Sequence, residues 1–187
     1  MATGRALAVA VAAAFSLGGA VAAFWLLGTT AAIEAPHPVF AEMPWPFPTD
    51  QWGKGKAFRC KRADCGAEVT LYLRAKIGFC NCENGVADDS ELDRMSDFYL
   101  VGGAVAPLGS GRPVEVGHMK GRSRAYALDA RNAPGRSAIS VAFNDRCDMA
   151  VATVLLPHDR PAAIEPGVIA FLNSPAALRW VEVKLGL

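Results

Sequence analysis

The sequence has no large excess of charge of either sign. Its 187 residues include 19 Lys and Arg against 18 Asp and Glu, which gives a formal net charge of +1. This balance excludes a disordered polyelectrolyte and argues against a nucleic-acid-binding domain, because both classes need charge of one sign. A hydrophobic content of 52% is enough for a folded core. No internal repeat interrupts residues 50–187, which we therefore expect to form one domain.

Catalytic motifs are also lacking. The chain has only three histidines, His37, His118 and His158, and none of them belongs to an H-E-x-x-H motif. Neither the G-x-S-x-G nucleophile elbow nor a Walker P-loop occurs. The acidic pairs at 88–89 and 145–148 are accounted for by helix capping and turns. The sequence therefore leans against an enzyme without excluding one, and it predicts no cofactor.

Charged residues are absent from Ala6 to Ile33. A helix through this run is longer than the roughly 30 Å hydrocarbon core of a bilayer, so we predict a transmembrane anchor within residues 1–33, with residues 6–28 in the inner membrane. Arg5 precedes the span, which predicts a cytoplasmic N-terminus and a periplasmic C-terminal domain. A cleaved signal peptide is the alternative, and it leaves the domain on the same side.

Proline dominates residues 34–49, which we predict to be a stalk. Five prolines lie between Ala35 and Pro48, and they favour an extended spacer of about 40 Å. Four aromatic side chains in or just after this stretch either lie along the lipid headgroups or pack on the domain: Phe40, Trp45, Phe47 and Trp52.

Strands are the clearer secondary-structure signals after residue 50. Alternating or β-branched runs predict them at Val69–Leu73, at Val114, Val116 and Met119, and at Ser123–Leu128, Ser137–Phe143 and Asp148–Leu156. The connections between the last three runs are short and polar, which favours an antiparallel meander over a parallel sheet.

About three helices are expected beside these strands. A capping box is predicted at the start of the first helix, with Asp88 as the N-cap and Glu91 at N3, and Ile164–Leu172 is predicted as the second helix. A third begins at Ser174–Pro175, before a closing strand through Val181 to Leu185. The prediction for residues 50–187 is therefore an α+β fold, an antiparallel-sheet sandwich with helices packed on it.

Five cysteines carry most of the conceivable chemistry. Cys60, Cys65, Cys80 and Cys82 are clustered, whereas Cys147 stands apart. In an oxidising compartment they predict two disulfide bonds and one remaining thiol, although the sequence does not give the pairs. The alternative is a thiolate site for Zn or Cu, or a redox site.

Basic residues are concentrated between residues 54 and 62. This basic segment contains Lys54, Lys56, Arg59, Lys61 and Arg62. One interpretation is that these side chains are solvated or pair with nearby acids. The other is that they contact an anionic partner or anionic lipid headgroups, since the segment closely follows the predicted stalk.

Several stretches resemble membrane-anchored extracytoplasmic proteins of alphaproteobacteria, a group without an assigned function. They are FRCKRADCGAEVTLYLRAKIGFCNC, VADDSELDRMSDFYL, CDMAVATVLL and AFLNSPAALRW, spread over residues 50–187. The resemblance implies a bacterial inner membrane and transfers no functional residue.

The sequence-based hypothesis is a non-enzymatic, membrane-tethered extracytoplasmic module that takes part in an inner-membrane or envelope complex. The alternative hypothesis is a thiol-based metal-binding or redox protein that uses the clustered cysteines.

Overall fold

A sheet of eight strands organises the part of the chain that follows residue 37. The structure, a computed structural model, describes residues 38–78, 82–129, 135–157 and 160–187. Within these ranges it contains an eight-stranded antiparallel sheet and four α-helices, which confirms the predicted α+β class. The predicted membrane span at residues 6–28 lies outside the described residues. Among the residues described, none of the helices has both the length and the apolar character needed to cross a membrane.

The elements follow one another in this order. The strands are β1 (Phe40–Met43), β2 (Lys56–Cys60), β3 (Val69–Lys76), β4 (Val105–Pro107), β5 (Arg112–Val116), β6 (Met119–Leu128), β7 (Arg136–Asp145) and β8 (Asp148–Pro157). The α-helices are α1 (Arg62–Cys65), α2 (Asp89–Met95), α3 (Pro161–Leu172) and α4 (Pro175–Leu185), and a 3-10 helix spans Phe98–Val101.

All strand pairs are antiparallel. The order across the sheet is β1, β2, β3, β8, β7 and β6, and both β4 and β5 pair with the outer edge of β6. The predicted meander is confirmed for β6, β7 and β8, which are neighbours both in sequence and in the sheet. The β7–β8 connection is short because Asp145 pairs directly with Asp148, and Arg146 between them has a φ of 51°.

Helices cover both faces of the sheet. On one face, α3 and α4 contribute Val168 and Val181 to a core that includes Val141. On the opposite face, α2 contributes Leu92 to a cluster with Val151. We call these the α3–α4 face and the α2 face. Because both faces are covered, β7 and β8 are buried along almost their whole length, as in sheets enclosed between helix layers.

The single strand predicted through Val114, Val116 and Met119 is instead a hairpin. β5 ends at Val116, and β6 begins at Met119, its register partner. Gly117 in the turn has a φ of 59°, a left-handed conformation that glycine adopts without steric cost. The apolar spacing reads as one strand because both strands present these side chains to the same core.

The closing strand predicted through Val181, Val183 and Leu185 is wrong, because α4 continues to Leu185. The predicted helix start at Ser174–Pro175 is correct. Ala177, Val181 and Leu185 are spaced four residues apart and form the buried side of the helix. A strand would place Val183 on that same side, yet 69% of its surface is exposed.

The predicted start of α2 is confirmed. The carboxylate of Asp88 accepts a hydrogen bond from the backbone amide of Glu91 at 2.8 Å. This satisfies one of the amides that have no partner inside the helix. The Glu91 side chain pairs with Arg94 at 2.5 Å, so it does not complete a reciprocal capping box with Asp88.

The described part of the predicted stalk lies against the sheet. β1 pairs with β2, and the ring of Phe40 stacks on Phe171 with centroids 4.3 Å apart. The ring centroids of Trp45 and Phe47 lie 6.0 Å and 4.8 Å from that of Tyr72. Phe40, Trp45 and Phe47 therefore pack on the domain, which is the second of the two alternatives given for the aromatic side chains.

Candidate functional site

The Cys60–Cys65 disulfide closes the turn that carries α1. Its sulfurs are 2.05 Å apart, and its Cα atoms are 6.0 Å apart. Cys60 ends β2, where its register partners are Phe40 in β1 and Val69 in β3. The disulfide therefore fixes a short helical loop at one end of the sheet.

The Cys82–Cys147 disulfide joins two segments that are far apart in sequence. Its sulfurs are 2.04 Å apart, and Cys147 lies in the turn between β7 and β8. Two hydrogen bonds reinforce this junction. The Gly78 amide donates to Asp148 at 2.6 Å, and the Val86 amide donates to Asn144 at 3.1 Å. The segment that includes Cys82 is thus fastened to the β7–β8 turn.

The fifth predicted candidate, Cys80, lies outside the described residues. The other four cysteines form the two pairs that the sequence left open. In these disulfides no sulfur is a thiolate, which is the form that binds Zn or Cu. Within residues 38–78, 82–129, 135–157 and 160–187, no group of three or more His, Cys, Asp or Glu side chains could hold a metal ion.

The basic segment predicted at 54–62 does not form one patch. Lys54 precedes β2 and Lys61 follows it, so the extended strand separates them by roughly 20 Å at about 3.3 Å per residue. Two of its members pair with acids. The Lys56 ammonium lies 2.6 Å from Glu42, and the Arg59 guanidinium lies 3.9 Å from Glu68.

Two cations of the basic segment remain together, and we call Lys61 and Arg62 the basic tip. Both side chains are exposed, and neither forms an ion pair within the described part of the chain. The pairing of Phe40 with Cys60 places the basic tip at the end of the sheet where β1 begins. β7 begins at the same end with Arg136, which adds a third cation there. The basic tip therefore lies where the chain enters the sheet.

A cluster of charged side chains is buried on the α2 face. Arg74 and Asp97 are only 1% and 2% exposed, and the guanidinium Nε donates to the Asp97 carboxylate at 2.9 Å. The Lys76 ammonium lies 2.7 Å from Asp97 and donates to the Met95 carbonyl at 2.6 Å. Burial at this depth is tolerated because opposite charges and hydrogen bonds compensate it.

The buried cluster also holds the segment that precedes β2. Asp50 accepts a hydrogen bond from Arg74 at 2.6 Å and another from the Tyr99 hydroxyl at 2.7 Å. Arg74 additionally donates to the Tyr99 oxygen. Residues from three separate segments of the chain thus meet at one guanidinium.

The surroundings shift the pKa values of these groups. Burial alone lowers the pKa of Arg74, but its hydrogen bonds to Asp97 and Tyr99 outweigh burial and raise that pKa. Burial lowers the pKa of Lys76, even though Asp97 favours its charged form. Burial acts to raise the pKa of Asp50, whereas hydrogen bonds from Tyr99 and the Trp52 amide bring that pKa below its ordinary value. Charge pairing therefore dominates for Arg74, and desolvation dominates for Lys76.

Sequence reasoning missed this cluster. Val69, Leu71 and Leu73 point to the α3–α4 face. The charged residues Arg74 and Lys76 come after them, so β3 changes from apolar to charged near its end. That change normally indicates a solvent-exposed end of a strand. Instead, Lys76 bonds to Met95 at the end of α2, Arg74 bonds to Tyr99 of the 3-10 helix, and Asp97 supplies the counter-charge.

The acidic pairs have the structural roles expected from the sequence. Asp88 caps α2, and Asp148 binds the Gly78 amide. Asp89 accepts hydrogen bonds from the Gly111 amide and from Arg122, which lower the pKa of its carboxyl group. His118 is exposed in the β5–β6 turn, and the other two histidines lie outside the described residues.

A cavity of about 280 Å³ lies next to the basic end of the sheet. Phe40, Cys65, Ile164 and Val168 form part of its wall, and Asp64 supplies a carboxylate. Gly167 of α3 also lines it, and a Cβ at this position would come within 3.2 Å of Pro38. Glycine at this position therefore leaves room for the close approach of α3 to Pro38.

Comparisons with known proteins identify neither a family nor a relative for this chain. No protein-family model matches the chain, and a search of curated proteins found none that matches it.

Proposed function

We propose that this chain is a membrane-tethered extracytoplasmic module, non-enzymatic, that binds or helps assemble a complex of the bacterial inner membrane or envelope. The observation that carries the proposal is the pairing of four cysteines as two cross-links within one sheet domain. Structural disulfides persist in oxidising compartments and are rare in the cytosol. The uncharged run from Ala6 to Ile33 supports the tether.

The disulfides favour this proposal over a thiol-based metal or redox function. Each cross-link fastens a segment to the sheet: Cys60 of β2 holds α1 through Cys65, and Cys147 between β7 and β8 holds the segment of Cys82. A metal carrier would need these sulfurs as thiolates. Reduction of the disulfides to thiolates would therefore remove two cross-links that stabilise the fold.

The basic tip is the candidate contact surface. Lys61 and Arg62 are exposed, and they lie beside the point where β1 begins. Exposed cations there would bind an acidic surface of a partner complex.

The first experiment measures the state of the cysteines in the full chain purified from membranes. Alkylation without reductant, followed by intact-mass analysis, should label at most one of the five cysteines. Elemental analysis of the same preparation should find no stoichiometric Zn or Cu. Four or five reactive thiols, or one equivalent of metal, would contradict the proposal and support the thiol-based alternative.

The second experiment tests the contact surface by mild detergent extraction and cross-linking. The chain should be recovered with a defined partner, and the double variant Lys61→Glu and Arg62→Glu should lose it. Lys54→Glu with Lys120→Glu is the matched control, because it reverses the same charge at the other end of the sheet. A lone monomer under several gentle conditions, or equal loss in the control, would argue against the basic tip.

The third experiment tests sidedness. Protease added to intact spheroplasts should digest the domain, as the predicted periplasmic location requires. Protection that disappears only after lysis would place the domain in the cytoplasm and remove the basis for the disulfide argument.

A further inference from the structure

The outer edge of the sheet is interrupted beside β6. β4 pairs with Tyr126–Leu128 and β5 pairs with Met119–Ser123, whereas residues 108–111 lie between these two strands. A cavity of about 310 Å³ opens at this break. Its wall combines the break, the middle of β6 and the first turn of α3.

Ser123 is a buried polar residue in the wall of this cavity. It is 1% exposed, and its hydroxyl has no hydrogen-bond partner in the part of the chain that the structure describes. Side chains alternate along β6, so Ser123 points to the α3–α4 face, as Met119 and Ala125 do. An unpaired buried hydroxyl destabilises the fold, and a ligand oxygen bonded to it would offset this cost.

The first turn of α3 supplies hydrogen-bond donors. Pro161 and Ala162 line the cavity, and the N-cap residue Arg160 makes no side-chain capping bond. The first turn contains no acidic residue. Ala162 lines the cavity, and its amide precedes the first i to i−4 bond, which Ile164 donates to Arg160. The dipole of the helix adds partial positive charge at the same place.

Arg112 completes the polar side of the cavity. It is the register partner of Ser123, and its Nε donates to the Glu165 carboxylate at 3.0 Å. Both Arg112 and Glu165 line the cavity, so this ion pair orients the guanidinium at its rim. A planar guanidinium has further N–H groups that suit carboxylate and phosphate oxygens.

The rest of the wall is mixed. Leu108, Ala125 and Ala162 give it an apolar part, and Ser110 and Arg124 also line it. A volume of about 310 Å³ is at the lower end for a ligand pocket. We propose that this cavity binds a small ligand that carries an oxyanion, a carboxylate or a phosphate monoester, on a short aliphatic chain. The oxyanion meets the Ala162 amide, Ser123 and Arg112, and the chain lies along Leu108.

The test is a titration of the full oxidised chain in nanodiscs of neutral lipid, followed by two-dimensional amide NMR. The probes are butyrate, butyl phosphate and the neutral analogue butyramide at constant ionic strength. At least one anion should cause saturable shifts at the amides of Arg112, Ser123 and Ala162, and the affinity for butyramide should be lower by about tenfold or more. Which anion binds more tightly separates a carboxylate ligand from a phosphate ligand.

Variants connect the binding to these side chains. Ser123→Ala and Arg112→Gln should each weaken the anion by about tenfold, the loss expected for one hydrogen bond to a charged group. Thr153→Val is the matched control, because Thr153 is also buried and without a hydrogen-bond partner in the described chain, but faces away from α3. The Arg112 side chain is half exposed, so its variant should stay folded even if Ser123→Ala does not.

Three results would overturn the proposal. The first is the absence of saturable shifts at the three amides. The second is an affinity for butyramide equal to that for the anions. The third is a folded Arg112→Gln variant that binds the anion as tightly as the parent does. Shifts that Thr153→Val abolishes as well would place the binding elsewhere.

Discussion

Arg74 and Asp97 form a two-point ion pair inside the domain. The guanidinium Nε lies 2.9 Å from one carboxylate oxygen, and its Nη2 lies 2.7 Å from the other. Their segments are distant in sequence, since Arg74 belongs to β3 and Asp97 precedes the 3-10 helix. Lys76 shares the same carboxylate. Asp97 therefore compensates two buried cations at once.

Asp97→Asn should be strongly destabilising, because it leaves these two cations without their buried counter-charge. Breaking one side of a buried pair costs about 3–5 kcal/mol. Urea unfolding of the parent and the variant measures the loss. Glu91→Gln is the control, since the Glu91–Arg94 pair involves a largely exposed arginine and should change stability by no more than about 1 kcal/mol. Equal effects of the two substitutions would show that the buried cluster contributes little.

Asp50 should make the free energy of unfolding depend on pH in the acidic range. Its pKa lies below the ordinary value of 3.8 in the folded chain, so its contribution is present above pH 3.8 and is lost as pH falls through the folded pKa. Asp50→Asn removes this titration. The stability difference between the parent and Asp50→Asn should therefore shrink as pH falls from about 6 to about 2.

Unfolding free energies at a series of pH values measure this dependence. Glu115→Gln is the control, because Glu115 is exposed, and its profile should run parallel to that of the parent. A difference for Asp50→Asn that stays constant down to the lowest pH would show that the Asp50 carboxylate does not stabilise the fold through its charge.

The sequence predicts elements well where one pattern decides the structure. Met149–Leu156 is apolar except for Thr153, as expected for a strand that is covered on both faces, and it forms most of β8. β1 escapes prediction because it is short and lies among prolines. Such a strand is stable at the sheet edge, where only one side needs backbone donors.

The candidate site is less predictable, since it depends on tertiary pairing. The partners Cys82 and Cys147 are separated by 65 residues, and only the β7–β8 turn brings them together. Likewise, the basic segment is continuous in sequence, but β2 divides it. Neither outcome follows from spacing, because spacing does not specify which strands are neighbours.

The helical end of the chain gives a direct test of strand against helix. Val181 is buried between α4 and the sheet, whereas Val183 is exposed. Val181→Ala should cost about 2 kcal/mol, as expected for a buried valine. Val183→Ala should be neutral or stabilising by a few tenths of a kcal/mol, because alanine has the higher helix propensity.

Urea unfolding of the two variants measures the contrast. A strand through Val181, Val183 and Leu185 would bury all three side chains on one face, so it predicts similar losses for both substitutions. Similar losses would therefore contradict the helix.

The two disulfides should differ in how much they stabilise the fold. They close sequence separations of 65 residues for Cys82–Cys147 and 5 residues for Cys60–Cys65. A longer loop loses more entropy in the unfolded chain when it is closed, and the relation gives about 4 kcal/mol for the first and about 2 kcal/mol for the second. Removal of both partners in each pair, with urea unfolding as the measurement, should therefore affect Cys82–Cys147 more.

Cys60 is fully buried, so its replacement by alanine also removes packing in the sheet core. The comparison is therefore made a second time by selective reduction of the parent, which leaves every side chain in place. If Cys60–Cys65 proved the more stabilising bridge in both comparisons, unfolded-chain entropy could not be the main contribution. The basic tip would then owe its position to local strengthening of the β2–α1 turn, and Lys61→Glu should lose its effect on partner binding once that bridge is reduced.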